Sequence, residues 1–161
     1  MDVPGCRAED KICITSDEIF SLPNFPGKVV IVGGSYIALE CAGFLNALGC
    51  NVTVLVRDVI LRNMDTGVTE YLAEDLEAKG INMLYGWSPT EVKRIKEGTP
   101  QELSVTYKET KTGEVRTVMA NTVILAIGRQ SNAKDLKASR IGECQSHIFI
   151  FILISSESST Q

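Results

Sequence analysis

The segment VVIVGGSYIALE, Val29 to Glu40, constrains this chain more than any other. Val29 to Val32 is an unbroken β-branched run without polar alternation, the pattern of a strand covered on both faces in a parallel sheet. Gly33 and Gly34 interrupt it and the period changes: Ile37, Cys41, Leu45 and Leu48 fall at helical spacing, with Gly49 where a C-terminal cap belongs. A strand feeding a tight glycine turn and a helix is the first half of a βαβ unit, which needs further units beside it to bury its faces.

Such units follow. Val52 to Val56 reads as a second buried strand, and Arg57 to Asp65 as a connection carrying two arginines. Asp65 or Thr66 caps a second helix with apolar positions Val68, Leu72 and Leu76, which stops at Gly80, and Ile81 to Tyr85 is a third strand. Glu91 to Ile95, Ser104 to Tyr107 and Glu114 to Met119 alternate and are separated by Gly98, Pro100 and Gly113, which predicts a small antiparallel meander. Thr122 to Ile127 returns to the buried type and ends at Gly128. The fold class is therefore α/β, a Rossmann-like doubly wound parallel sheet with right-handed crossovers and an antiparallel β-meander insertion. Residues 1–27, with Pro4, Gly5, Pro23, Pro26 and Gly27, read as a linker with one helical turn after Ser16.

With 161 residues, 44% of them hydrophobic, the chain has material for one core plus tails. The net charge of -4 is spread with both signs mixed, so no basic face for nucleic acid or anionic lipid is expected. The run IFIFILI, Ile148 to Ile154, falls short of the roughly 20 residues a spanning helix needs and reads as a sticky strand rather than a membrane anchor. Met1 to Arg7 lacks the apolar core of a signal peptide, which favours a reducing compartment. Cys6, Cys13, Cys41, Cys50 and Cys144 are odd in number and contain no CxxC pair. That argues against a disulfide framework, a zinc site or a thioredoxin-like motif, and for ordinary thiols.

The glycine turn carries the chemistry. Where a strand, a tight turn and a helix meet in this way, the unpaired N–H groups and positive dipole end of the helix can face a dinucleotide pyrophosphate. Gly33 supplies the turn, Gly34 completes it, Ser35 stands where a second glycine would admit the phosphates, and Ala38 where a third small residue packs helix on strand, giving GxSxxA rather than GxGxxG. Similar turns occur in nucleotide-free α/β proteins and in methyltransferases, so the turn alone leaves those readings open. At the end of the second strand, NAD-specific proteins place an acidic residue for the ribose 2′-hydroxyl. Here stand Arg57 and, close by, Arg62, whose guanidinium forks suit a 2′-phosphate and favour NADPH over NADH. Solvated loop charges are the competing explanation for the two arginines.

Three stretches, ITSDEIFSLPNFPGK (Ile14 to Lys28), SYIALECAGFL (Ser35 to Leu45) and VRDVILRNMD (Val56 to Asp65), together resemble the NADPH domain of high-molecular-weight thioredoxin reductases, including the thioredoxin-glutathione reductase variety. LAIGR, Leu125 to Arg129, is similar to the segment where such chains cross back to their FAD domain, and the resemblance runs from about Val3 to Gly142. It implies that Gly33, Ser35 and Ile37 line the pyrophosphate and ribose, that Tyr36 is an aromatic gate over the flavin, and that Glu40 lies near the nicotinamide. It also implies that Arg57 and Arg62 clamp the 2′-phosphate and that Ile127 and Gly128 touch the cofactor from the last strand. Read from chemistry alone, Tyr36 would serve packing and Glu40 the helix dipole.

The resemblance further implies an FAD-binding strand-turn-helix, a CxxxxC redox pair, and a dimerisation domain with catalytic His and Glu, none of which is recognised in this sequence. The expected organisation is a linker from an FAD-binding domain (1–27), the NADPH-binding domain (28–128), a return segment toward the FAD domain (129–142) and a divergent tail (143–161) that holds the single histidine, His147. The expected activity is that of an NADPH-dependent thioredoxin-disulfide reductase whose NADPH lobe this is, inactive by itself, with FAD, thioredoxin or glutathione disulfide, and a homodimer all belonging to the full-length form. A cytoplasmic location is expected, or a mitochondrial one where a targeting segment precedes these residues. A non-catalytic NADPH-binding remnant and a glutathione or trypanothione reductase fragment are the alternatives.

Overall fold

Strands that bury both faces need a layer on each side, and the computed structural model of the chain, which describes residues 3–6 and 12–129, supplies two different ones. The chain divides into two units, Met1–Ile127 and Gly128–Gln161. Of the second, only Gly128 and Arg129 are among the described residues. The return segment past Arg129, Cys144, His147, the apolar run Ile148 to Ile154 and the rest of the tail lie outside them.

In chain order the first unit contains a 3-10 turn (Ile19–Ser21), β1 (Lys28–Val32), α1 (Tyr36–Ala47), β2 (Asn51–Val56), α2 (Thr66–Ala78), β3 (Asn82–Tyr85), β4 (Trp87–Lys96), β5 (Glu102–Glu109), β6 (Val115–Ala120) and β7 (Thr122–Leu125). A four-stranded sheet runs in the order β3-β2-β1-β7, and every pair in it is parallel. β1 is central, with Val30 in register with Thr53 on one side and Val123 on the other. β4, β5 and β6 form a separate antiparallel sheet in that order, the expected meander.

Alternation along the strands sorts the core into two layers. Val29, Ile31, Val52, Val54 and Val56 pack with Ala38 and Leu45 of α1 and Leu76 of α2, whereas Val30, Val32, Leu55 and Val123 pack with Trp87, Val92, Leu103 and Val105 of the meander. Both described helices thus cover one face of the parallel sheet and the antiparallel sheet covers the other. Each fully buried Val, Leu or Ile contributes roughly 1.5–3 kcal/mol, so the polar-free run Val29–Val32 of β1 and the buried Val52, Val54, Leu55 and Val56 of β2 hold the unit together.

The helix caps follow local chemistry. Gly49 (φ 89) ends α1 and donates its N–H to Asn46 O at 2.9 Å; Gly80 (φ 91) does the same after α2, to Glu77 O at 2.9 Å. One expectation for α2 needs correction: Val68 is 63% exposed, and the buried side of the helix is Thr69 and Leu76 with Leu72 and Ala73. Steps of four residues advance about 40° beyond a full turn. A stripe traced back from Leu76 through Leu72 therefore drifts off the sheet by Val68.

The segment before β1 is held against both layers. Val3 is buried in the meander-side core, and Val92 donates its N–H to Pro4 O at 2.9 Å. Ile14 adds a parallel bridge to the sheet edge, its N–H donating to Val123 O at 2.9 Å and its carbonyl accepting from the Leu125 N–H at 2.8 Å.

Candidate functional site

All four parallel strands point the same way, so the turns after β1, β2 and β7 emerge at one edge of the sheet. From β1 the chain moves to β2 and β3 and then returns to the opposite flank of β1 as β7. The crevice at the C-terminal ends of β1 and β7 is therefore a topological switch point, where open α/β sheets bind ligands. Gly33 lies there at φ 133, donating its N–H to Leu55 O at 3.0 Å, and a Cβ on it would collide with the Ala126 carbonyl oxygen. Ser35 is the N-cap of α1, yet its hydroxyl donates to that same Ala126 carbonyl at 3.2 Å and caps no helix amide. No acidic residue occupies the first turn either. Ser35 thus turns its hydroxyl toward β7 and leaves the positive end of the α1 dipole without a cap from its own N-cap side chain. Ala38, fully buried, lets α1 lie close on the sheet.

Beside this turn runs the connection from β2 to α2. Leu61 donates its N–H to Gly34 O at 2.8 Å, and a Cβ on Gly34 would come within 3.1 Å of Val59 O and 3.3 Å of Ile60 Cα. Leu61 adopts φ 45, its side chain packed on the helix-side core next to buried Ile60. The arginine-bearing loop is therefore fastened to the glycine turn at its middle. Arg57 follows directly on β2, is exposed, and has no ion pair among the described residues. Arg62 donates from Nη2 to Asp58 Oδ2 at 3.2 Å, with both side chains more than half exposed.

Tyr36 opens α1 and is 47% exposed; Ile127, just past β7, is 40% exposed. Ile37 is half-buried on the helix-side core, so its side chain packs while its backbone belongs to the first turn. Glu40 is exposed one turn further along α1, outside the first turn, which removes the dipole explanation offered for it. Gly128, exposed, is the first residue of the second unit. The fold thus gathers Gly33, Gly34 and Ser35 beside the loop of Arg57 and Arg62, and leaves Glu40 a turn away. A cleft of about 250 Å³ lined by Lys28, Val29, Val30, Asn51, Thr53, Val118 and Met119 opens at the opposite end of the strands and contains none of these residues.

Residues 1–152 match the family described as pyridine nucleotide-disulphide oxidoreductase. The chain belongs to this family. It is 38% identical over 141 residues to Thioredoxin reductase 2, mitochondrial, of Drosophila melanogaster, an alignment covering 88% of this chain and 26% of that protein. The chain spans about a quarter of the length of the curated relative it matches. Members of the pyridine nucleotide-disulphide oxidoreductase family are flavin-dependent oxidoreductases.

The cysteines of this family member depart from the sequence reading. Cys6 and Cys13, expected as ordinary thiols, form a disulfide with Cα atoms 5.0 Å apart. Cys6 ends the strap that pairs with β4, and Cys13 precedes the residue that bridges to β7, so packing at residues distant in sequence brings them together. No spacing motif could have revealed it. Cys41 and Cys50 are free thiols, as expected, and both are buried; burial pushes both above their ordinary range, with the Glu40 carboxylate adding to the effect at Cys41. They are protonated and unreactive at neutral pH. Sequence reasoning also passed over Asp58, although its i,i+4 spacing to Arg62 was visible. No helix among the described residues is long and apolar enough to cross a membrane.

Proposed function

We propose that this chain is the NADPH-binding portion of a flavin-dependent disulfide reductase of the thioredoxin reductase type. The observation that carries the reading is the start of α1 at a switch-point crevice, where the N-cap Ser35 side chain leaves the helix uncapped, with the Arg57 and Arg62 loop hydrogen-bonded to the glycine turn. The donor set fits the ligand: backbone N–H groups and a positive helix end for the pyrophosphate, and two guanidinium groups for the 2′-phosphate. In this reading Gly33, Gly34, Ser35 and the backbone of Ile37 hold the pyrophosphate and ribose. Arg57 and Arg62 hold the 2′-phosphate, and Tyr36, Glu40 and Ile127 border the nicotinamide end.

Bound NADPH supplies a hydride for a flavin and, through it, electrons for a disulfide. The residues named here bind and orient the nucleotide. The NADPH-binding domain is taken as residues 28–128. Reduction of thioredoxin or glutathione disulfide, the use of FAD and dimer formation are assigned to the full-length protein. By themselves the 161 residues are expected to bind nucleotide without turning it over.

Calorimetric titration of the purified chain with NADPH and NADH, repeated on Arg57→Ala plus Arg62→Ala, tests the reading. Charge-assisted hydrogen bonds contribute about 1.5–3 kcal/mol each, so the double variant should lose at least tenfold in NADPH affinity and little for NADH. Absence of binding by either nucleotide overturns it.

A further inference from the structure

We propose that Asp58 sets how strongly the chain prefers a 2′-phosphorylated dinucleotide, by competing with that phosphate for Arg62. The inference rests on the NADPH reading above and adds a specificity determinant to it. Asp58 is the second residue past β2, in the region where an acidic side chain accepts a hydrogen bond from an unphosphorylated ribose. It is also the carboxylate that Arg62 contacts, through a single bond at 3.2 Å.

Geometry keeps the two groups beside the site. Ile60 is buried and Leu61 is tied to Gly34 at 2.8 Å, so the middle of the loop is fixed and Asp58 and Arg62 flank that fixed point. The pair itself is weakly held, since the side chains are 59% exposed for Arg62 and 64% for Asp58. Exposed pairs of this kind shift an equilibrium by only about fivefold or less.

A guanidinium binds phosphate best through two parallel N–H donors. With one edge of Arg62 on a carboxylate, an arriving phosphate must displace Asp58 or share the arginine with it. A carboxylate left beside a phosphate monoester, which carries about -1.5 to -2 at pH 7, repels it. Arg57 has no such competitor among the described residues and retains the preference for phosphate. Asp58 therefore acts oppositely on the two cofactors, weakening the phosphorylated one and offering the ribose hydroxyl of the other an acceptor.

The test is calorimetric titration of the full chain with NADPH and with NADH, on the unaltered protein and on Asp58→Asn and Asp58→Ser, at about 50 and 300 mM salt. Both variants should bind NADPH about three- to tenfold more tightly, bind NADH no better, and lose much of the gain at the higher salt. Unchanged or weaker NADPH binding in both variants would show that Asp58 only props Arg62, and would overturn the inference while leaving the nucleotide reading intact. If the unaltered chain binds neither dinucleotide, both readings fall, and the Arg57→Ala plus Arg62→Ala titration already identifies that case. Circular dichroism melts of each variant separate altered binding from altered folding.

Discussion

Gly33 and Gly43 look alike in the sequence and have opposite roles. Gly33 adopts φ 133 with the Ala126 carbonyl in the space a methyl group would occupy, whereas Gly43, inside α1, has nothing within 4 Å of its Cβ position. Gly33→Ala should therefore destabilise the chain by about 2–4 kcal/mol, through backbone strain and the loss of close approach to β7. Gly43→Ala should stabilise it by about 0.5–1 kcal/mol by favouring the helical backbone. Urea unfolding of both variants checks the pair, and an unchanged midpoint for Gly33→Ala would contradict the crevice geometry. The turn at Gly33 was legible because glycine after a β-branched run marks a break. Its neighbour Ala126 was not, since a contact across 93 positions leaves no trace in local spacing. In the same way the arginines could be read from the chain, but the Asp58 contact that occupies one of them depends on how the loop folds back.

The elements were legible where each was specified locally. Asp65 caps α2 as its sequence signal indicated, its Oδ1 accepting from Val68 N at 3.2 Å. Asp65→Ala should cost about 0.5–2 kcal/mol and Asp65→Asn much less, read from the urea midpoints of the two variants. Equal losses would mean that the cap contributes through charge rather than through its hydrogen bond. β4 was read too short, beginning at Glu91, because Pro89 interrupts the pattern that continues back to Trp87. An edge strand tolerates proline, which has no N–H to offer a neighbour, and β4 is at the edge with a register shift between Pro89 and Glu91. Buried Trp87 then explains the extra length: its ring meets Tyr107 edge-on at 5.1 Å and carries the Arg116 guanidinium 4.8 Å from its centroid.

Across the whole molecule, the parallel sheet, its helices and the meander follow from period and turn chemistry, while the fastening of the N-terminal segment does not. The Cys6–Cys13 bond closes a loop of sequence separation 7, for which chain entropy gives roughly 2–3 kcal/mol. In dithiothreitol the full chain should lose about 2–3 kcal/mol of stability, read as a lower urea midpoint, and Cys6→Ser plus Cys13→Ser should be insensitive to the reductant; no shift in the unaltered chain would argue that the strap is held by Val3 and Ile14 alone. The place of β7 bears on how the protein is made. β1 carries the most apolar sequence of the sheet, and one of its two edges is closed only when Thr122–Leu125 arrives, some 90 residues after Val32. At roughly 5–20 residues per second of synthesis, that edge stays open for about 5–20 s on the ribosome. A nascent chain halted before Thr122 would expose the backbone of Val29 to Val32 as a template for other strands, so the interval before β7 emerges is when this polypeptide most needs a chaperone.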